Sequence, residues 1–226
     1  LFTTENKAET GPGAQDRARA VGPYVLQINP RNGGGEFYGY TSAFQLKHAA
    51  EEFAATGQDV NERVDGSKPC RPFIDFDGTG EPNVVLPIVR AAVRDELRAI
   101  GSESAEIACF YYKKASKLSA HIIAQDVNLI DGAAIKQFAA GVRARLPSEL
   151  QSSIDLIGNL KSFGLRVANC GKGGDMSRAL KIDAYDAGDW ILQDGEERQT
   201  IGQAAEKPVV FAIPEAQTDL KEFSAK

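Results

Sequence analysis

Cysteine is scarce in this chain of 226 residues, and the three cysteines that occur are widely separated. Cys70, Cys109 and Cys170 form no C-x-x-C pair, which disfavours both a disulfide framework and a zinc module. Reduced thiols are typical of proteins that work inside cells, and we therefore expect an intracellular protein.

Long hydrophobic runs are also missing. The apolar stretches, such as NVVLPIV from Asn83 to Val89, are far shorter than the roughly 20 residues that span a bilayer. We therefore expect no membrane partner. With 42% hydrophobic and 25% charged residues, the chain has the composition of an ordinary globular protein that can bury a core.

The chain has no excess of positive charge, because its formal net charge is −5. This balance disfavours a protein that coats nucleic acid without specificity, but an enzyme acting on nucleic acid depends on local patches and not on the total. Two local basic groups stand out, formed by Lys113, Lys114 and Lys117 and by Lys161, Arg166 and Lys172.

Periodicity along the chain predicts a mixed order of helices and strands. RPFIDFD (71–77) predicts a strand, EIACFYY (106–112) and LSAHIIAQDV (118–127) predict a hairpin, and residues 59–70 predict a loop. Helices are predicted over 42–57, 83–100 and 131–146, the first with Phe44 on its buried face. Because the strands are not all separated by helices, the sequence predicts an α+β fold with a mixed or antiparallel sheet.

Composition divides the chain into three parts. Residues 1–20 are small and polar without an apolar period, and we expect a weakly ordered leader there. Residues 21–213 contain the periodic elements and are expected to form the functional domain. Residues 214–226 are expected to be a C-terminal tail.

The most informative stretch is RPFIDFDGTGEP, from Arg71 to Pro82. Asp75 and Asp77 end an apolar strand and lie on one face of it, because successive side chains alternate between faces. Two carboxylates on one face repel each other unless a cation lies between them. A simple strand-end turn is the structural alternative, and we favour a functional role.

The DFDGT stretch resembles the opening motif of the haloacid dehalogenase superfamily. This resemblance implies a phosphatase in which Asp75 is phosphorylated, Asp77 is the general acid/base and Thr79 supports both. Against it, the motif normally lies on the first strand of that fold, whereas residues 1–70 precede it here. GEPNVV also replaces the apolar, acidic and serine-containing continuation that is expected after the threonine. The phosphatase is therefore the alternative.

A second motif lies on the predicted hairpin. Lys117-Leu-Ser119-Ala-His121 matches K-x-S-x-H, and the strand period places Ser119 and His121 on one face. Taken alone, these two residues would be ordinary strand residues, with His121 hydrogen-bonded in a core. Their occurrence beside Lys117 and the paired aspartates favours a functional role.

Further downstream, SSIDLIG supplies a third aspartate, Asp155, although Asp183 in KIDAYD is a rival for the same role. The stretch FGLRVANCGK then carries Arg166 and Lys172. Glycines around Lys172 indicate a close approach to a phosphate, although the segment is not a Walker loop.

Taken together, FIDFD, KLSAH, SSIDLIG and FGLRVANCGK resemble the motifs of the archaeo-eukaryotic primase superfamily, most closely its primase-polymerase branch. The resemblance extends from about Phe44 to Lys172. It implies a catalytic domain with an RRM-like sheet and an accessory α/β layer. It also implies a template-dependent nucleotidyltransferase that works as a DNA primase or polymerase. The branch often has Asp-x-Glu in its first motif where this chain has Asp-x-Asp, and either pair can coordinate a divalent cation.

The resemblance also implies roles for single residues. Asp75, Asp77 and Asp155 would hold two Mg²⁺ or Mn²⁺ ions. The nucleoside triphosphate would be bound by basic and hydroxyl groups together with a histidine that donates more strongly when protonated, namely Lys117, Ser119, His121, Arg166 and Lys172.

The partners implied are a single-stranded or primed DNA template and nucleoside triphosphates, with Lys113 and Lys114 as candidate template contacts. A helicase or a zinc module, fused or separate, would lie outside these residues. A third class of function is a module that binds nucleic acid without turnover.

Overall fold

The computed structural model describes residues 8–29, 35–102, 106–156, 161–173, 175–183, 188–193, 195 and 198–202. The strands, in chain order, are β1 (Tyr24–Asn29), β2 (Glu36–Tyr40), β3 (Asp59–Asp65), β4 (Phe73–Thr79), β5 (Ile107–Lys114), β6 (Lys117–Ala124), β7 (Val127–Leu129), β8 (Ser162–Arg166), β9 (Lys181–Ile182) and β10 (Gln199–Ile201). The helices are α1 (Ala14–Val21), α2 (Ala43–Ala55), α3 (Pro82–Ala99), α4 (Gly132–Arg145) and α5 (Ser148–Gln151), with a 3-10 turn at Met176–Arg178.

Two antiparallel sheets of four strands form the frame of the molecule. The first sheet has the order β2-β1-β3-β8 and the second has the order β4-β6-β5-β9, while β7 and β10 form a separate parallel pair. The predicted α+β class is confirmed. Among the residues that the structure describes, no helix is both long and apolar enough to cross a bilayer.

The second sheet has the chain order β4-α3-β5-β6-α4, followed by a short segment at Ile154 that makes an antiparallel bridge to Phe76. This segment, β4, β6 and β5 are therefore neighbours in that order across the sheet. The β-α-β-β-α-β arrangement is that of ferredoxin-like folds, and a four-stranded sheet of this kind also forms RRM domains. It follows from long apolar stripes on α3 and α4, which bury Val89, Val93 and Ile135.

Both sheets share one hydrophobic core. The rings of Phe73 on β4 and Phe163 on β8 stack with their centroids 5.4 Å apart. The edge strand β8 of the first sheet thus lies against the face of the second sheet that carries Asp75 and Asp77. We call the region between β8 and this face of the second sheet the cleft.

Two of the predicted segments differ from the structure. Residues 59–65, predicted as a loop, form β3, because Val60 and Val64 alternate with half-buried positions. The acidic Glu62 between them conceals this alternation in the sequence, and it is buried because its carboxylate accepts hydrogen bonds from the backbone N–H groups of Leu192 and Gln193.

The expected weakly ordered leader over 1–20 is also wrong in its second part. Helix α1 begins at Ala14 and buries Ala14 and Ala18 against the first sheet.

The predicted buried face of α2 is wrong at one position. Phe44 is 80% exposed and does not belong to that face. The predicted tail at 214–226 lies outside the described residues.

Candidate functional site

Two rows of polar side chains cross the face of the second sheet that lines the cleft. The register of β4 and β6 places Asp75 opposite His121 and Asp77 opposite Ser119. Directly opposed residues of an antiparallel pair project on the same side of the sheet. The two sequence motifs FIDFD and KLSAH therefore meet on one face.

Asp155 joins the first of these rows from the outer edge of β4. Its backbone N–H donates to the carbonyl oxygen of Asp75 at 3.0 Å, and the N–H of Asp77 donates to the carbonyl oxygen of Ser153 at 2.8 Å. These bonds, with the bridge between Phe76 and Ile154, place Asp155 directly opposite Asp75. The row therefore runs from Asp155 through Asp75 to His121.

The rival third acid, Asp183, lies on the other face of the same sheet. Its N–H donates to the carbonyl oxygen of Cys109 at 2.8 Å, and its carboxylate accepts a hydrogen bond of 2.8 Å from Arg90 of α3. Because α3 covers the face opposite to Asp75, Asp183 is separated from the two motif aspartates by the thickness of the sheet.

Short contacts connect the acids with the K-x-S-x-H motif. Lys117 Nζ lies 3.0 Å from Asp77 Oδ2, and the Ser119 side chain also hydrogen-bonds Asp77. His121 Nε2 lies 3.7 Å from Asp75 Oδ1, which is longer than a hydrogen bond. His121 also hydrogen-bonds the backbone of Arg166, which ties the β6 motif to the end of β8.

Arg166 lies at the end of β8 and reaches over the second row. Its Nη1 donates to the carbonyl oxygen of Arg178 at 3.0 Å, and its guanidinium carbon lies 5.6 Å from the ring centroid of Tyr112. Tyr112 follows Ser119 in the second row. Tyr112 and Arg178 are not among the predicted site residues, although the strand period of EIACFYY places Tyr112 on this face.

Lys172 lies in the glycine-rich loop after β8. Lys172 and Asp175 form an antiparallel bridge, Gly173 has a positive φ of 60°, and the N–H of Gly173 donates to Asp59 Oδ2 at 3.2 Å. The positive charge of Lys172 is close enough to act on both Asp75 and Asp77. The structure therefore brings all eight predicted site residues to one cleft.

The environment of Asp75 is electrostatically costly for a carboxylate. Burial first, and the charges of Asp77 and Asp155 second, raise the pKa of Asp75 to about 6 against the opposing effect of Arg166 and Lys172. For Asp77, burial also acts to raise the pKa, but hydrogen bonds from Lys117 and Ser119 outweigh it and hold the pKa below its usual value. An acid held in its ionised form is a poor proton donor, and this disfavours Asp77 as the general acid of a phosphatase.

His121 is uncharged at neutral pH. Burial lowers the pKa of His121 to about 3, and the nearby charge of Arg166 acts in the same direction. The expected stronger donation from a protonated His121 therefore does not fit this environment, since a neutral imidazole has a single N–H to donate.

The three acids have the right ligand chemistry for a divalent cation, but their side chains are not close enough together in this structure to coordinate one. Among the described parts of the chain, no group of three His, Cys, Asp or Glu side chains is close enough to hold a metal ion. Asp75, Asp77 and Asp155 are nevertheless hard oxygen donors on adjacent positions of one face, the ligand type that Mg²⁺ and Mn²⁺ prefer. Burial is the main cause of the raised pKa of Asp75, and the charges of Asp77 and Asp155 add to it.

The two lysines proposed for template contacts lie on different faces of the sheet. Lys114 pairs with Lys117 on the cleft side, and its Nζ lies 3.2 Å from Asp175 Oδ2. Lys113 projects to the helix side, where its Nζ donates to the carbonyl oxygen of Gly80 at 2.6 Å and to Glu81. Only Lys114 is in a position to act with the candidate site.

No protein-family model matches this chain, and a search of curated proteins returns no match.

Proposed function

We propose that this domain is a template-dependent nucleotidyltransferase of the DNA primase and polymerase type. The observation that supports the proposal is the convergence of three separate sequence motifs on one sheet face. Asp155, Asp75 and His121 form one row there, and Asp77 and Ser119 form the next. Arg166 and Lys172 bring positive charge to the same cleft.

The triphosphate of the incoming nucleotide would lie on the cationic side of the cleft. Arg166 is oriented by the Arg178 carbonyl and the Tyr112 ring, and its planar guanidinium can bind phosphate oxygens through two parallel hydrogen bonds. Lys117 and Lys172 supply two further charges, and the Ser119 hydroxyl would turn from Asp77 to donate one hydrogen bond to a phosphate oxygen.

His121 acts in this proposal as a positioning residue. It is buried and neutral, it lies opposite Asp75, and it hydrogen-bonds the backbone of Arg166. The imidazole thereby fixes the separation between an acid and a phosphate-binding arginine. Its loss would move both groups without removing either.

Asp75, Asp77 and Asp155 would hold the divalent cations, which the family resemblance gives as two Mg²⁺ or Mn²⁺ ions. Such ions, when bound, lower the pKa of an attacking hydroxyl and stabilise the charge of a leaving phosphate.

The reaction would form a bond from the 3′ oxygen of the growing strand to the α-phosphorus of the nucleotide. The bond from that phosphorus to the bridging oxygen breaks, pyrophosphate leaves, and the hydroxyl proton passes to solvent. Phosphoryl transfer of this kind depends mainly on alignment and on neutralising charge. Arg166, Lys117 and Lys172 supply both, because they hold the triphosphate in line and face its leaving group.

The test is extension of a primed DNA template with Mn²⁺ or Mg²⁺ and nucleoside triphosphates. Asp75→Asn and Asp155→Asn should each lower the rate by 10²–10³-fold or more, on the order seen when one transition-state contact is lost. His121→Gln should raise the KM for the nucleotide more than it lowers kcat. The matched control Asp95→Asn changes an exposed aspartate on α3 and should leave the rate unchanged.

A second comparison identifies the third acid. Asp183→Asn removes a partner of Arg90 on the opposite face and should lower stability while extension persists below the unfolding temperature. Extension that survives Asp75→Asn contradicts the proposal. Hydrolysis of small phosphate esters without extension would favour the phosphatase, and template binding without turnover would favour a non-catalytic module.

A further inference from the structure

The 3-10 turn at Met176–Arg178 lies at one end of the second row of the candidate site. That row runs from Asp77 on β4 through Ser119 on β6 to Tyr112 on β5. Two strand spacings separate Asp77 from Tyr112, so the row is about 10 Å long. The turn meets the β5 end of the row, where Arg178 Nη2 lies 3.5 Å from the Tyr112 hydroxyl.

Two guanidinium groups share the ring of Tyr112. The guanidinium carbon of Arg178 lies 5.8 Å from the ring centroid, and that of Arg166 lies 5.6 Å from it. Both distances are within the range of cation–π attraction. The main chain adds a second link, because the carbonyl oxygen of Arg178 accepts the hydrogen bond from Arg166 Nη1. We call Arg166 and Arg178 the arginine pair.

The charges of the arginine pair repel each other. Burial lowers the pKa of the Arg166 guanidinium, and the charge of Arg178 acts in the same direction. The charges of Asp59 and Asp75 offset only part of this effect. A bound anion would relieve the repulsion, and a planar guanidinium can bind a phosphate through two parallel hydrogen bonds.

The acid closest to Arg178 in the sequence is Asp175, and its carboxylate is engaged by other groups. It accepts hydrogen bonds from the backbone N–H and the hydroxyl of Ser177, and Lys114 Nζ lies 3.2 Å from it. Within the part of the chain that the structure describes, no carboxylate forms an ion pair with either member of the arginine pair. The guanidinium of Arg178 is half-buried and keeps N–H donors for a ligand.

The distance of Arg178 from the acids decides which part of a triphosphate it can meet. In the proposed function, the α-phosphorus reacts beside Asp75 and Asp77. Tyr112 is two strands away from Asp77 in the same row, so the phosphates that do not react lie towards it. Arg178 is therefore placed for the terminal phosphates and not for the reacting one.

We propose that the arginine pair binds the terminal phosphates of the nucleotide, and that Arg178 makes the site prefer a triphosphate to a monophosphate. That the ligand is a nucleotide rests on the proposed function. The preference for a polyphosphate rests on the two guanidinium groups at one ring and on their distance from the acids.

The first test compares a nucleoside triphosphate with the matching monophosphate by calorimetric titration in the presence of Mg²⁺. Arg178→Gln removes the guanidinium but keeps the backbone carbonyl that orients Arg166. Affinity for the triphosphate should fall roughly tenfold or more, as the loss of a hydrogen bond to a charged group does, while affinity for the monophosphate should change little. Arg178→Lys keeps the charge without the planar fork and should restore part of the loss.

The matched control is Arg94→Gln, which removes the same charge from an exposed position of α3. Because α3 covers the opposite face of the sheet, both affinities should equal those of the wild type. Thermal unfolding of each variant checks that the fold is intact.

The second test uses the wild type and does not depend on the folding of a variant. Phenylglyoxal modifies accessible guanidinium groups, and mass spectrometry measures the rate at each arginine. Inorganic triphosphate and the nucleoside triphosphate should both slow the modification of Arg178, whereas the monophosphate should not. Arg94 should react at the same rate with every ligand.

The outcomes separate this inference from the proposed function. A triphosphate preference that is lost in Arg178→Gln supports the arginine pair, even if no extension activity is found. Extension activity together with an unchanged preference in Arg178→Gln overturns the role of Arg178 and leaves the proposed function in place. Equal protection of Arg178 by the monophosphate and the triphosphate also overturns it.

Discussion

Asp75 lies between two other carboxylates, and about a third of its side chain is exposed to water. Its pKa of about 6 means that the folded state binds the proton more tightly than the unfolded chain, in which an aspartate has its ordinary pKa of 3.8. The carboxylate therefore destabilises the fold at neutral pH. A residue kept at such a cost is typical of functional sites.

We expect Asp75→Asn to stabilise the protein at pH 7.5 in the absence of divalent cations. The pKa difference corresponds to at most about 3 kcal/mol, and solvent screening of the side chain reduces this to about 1–2 kcal/mol. Because the folded-state pKa is raised, the stability of the wild type relative to the variant should increase as the pH falls from 6 towards 3.8. The difference should then level off.

Urea unfolding at several pH values measures this effect, with Asp95→Asn as the control that should lie within 0.5 kcal/mol of the wild type. His121 titrates in the opposite sense, since its lowered pKa removes stability as the pH falls below 6.5. Because His121 Nε2 lies 3.7 Å from Asp75 Oδ1, the same comparison in a His121→Gln background separates the two contributions. A variant less stable than the wild type at pH 7.5 would contradict the expected cost of burying the Asp75 carboxylate beside two other acids.

Among the elements, α1 lies so close to β2 that the contact requires a glycine at Gly39. A Cβ built on Gly39 of β2 would overlap the carbonyl oxygen of Ala18, which belongs to the backbone of α1 and cannot rotate away. The close approach of helix and strand therefore requires a residue without a side chain.

Gly39→Ala should destabilise the protein by about 1–3 kcal/mol, because the helix must move to accommodate the methyl group. Urea unfolding followed by circular dichroism measures the change. Gly202→Ala is the control, since a Cβ there meets no atom within 4 Å. Equal stability of Gly39→Ala and the wild type would mean that α1 is not held against β2.

At the scale of the whole molecule, the three cysteines all lie in the single hydrophobic core that both sheets share. Cys70, Cys109 and Cys170 are all buried free thiols. Burial raises the pKa of Cys70 well above its usual range and that of Cys170 to about 12. Few thiolates are therefore present at neutral pH, and reagents have no access to them in the folded state.

We expect a thiol reagent such as Ellman's reagent to react with the native protein only as fast as it unfolds. The three cysteines should react with one rate constant, because they lie in the same hydrophobic cluster. All three should react at once in denaturant. Rapid labelling of one thiol in the native protein would instead show that part of the molecule opens independently.

Much of the second sheet could be predicted from sequence, because its strands and helices have clear periods. The apolar stripe of α3 and the alternation in β5 and β6 place their side chains correctly without tertiary information. The first sheet was harder to predict. β3 has the buried acid Glu62, whose partners come from residues 192 and 193, far along the chain.

The sequence by itself determined which chemical groups are available. The two-residue period of a strand places Asp75 and Asp77 on one face of β4, and Ser119 and His121 on one face of β6. Only the tertiary structure decided that Asp155, and not Asp183, faces the same cleft. It also decided that His121 is buried and neutral. The reason is that strand register, the choice of sheet face and burial arise from contacts between residues far apart in sequence, which no local pattern encodes.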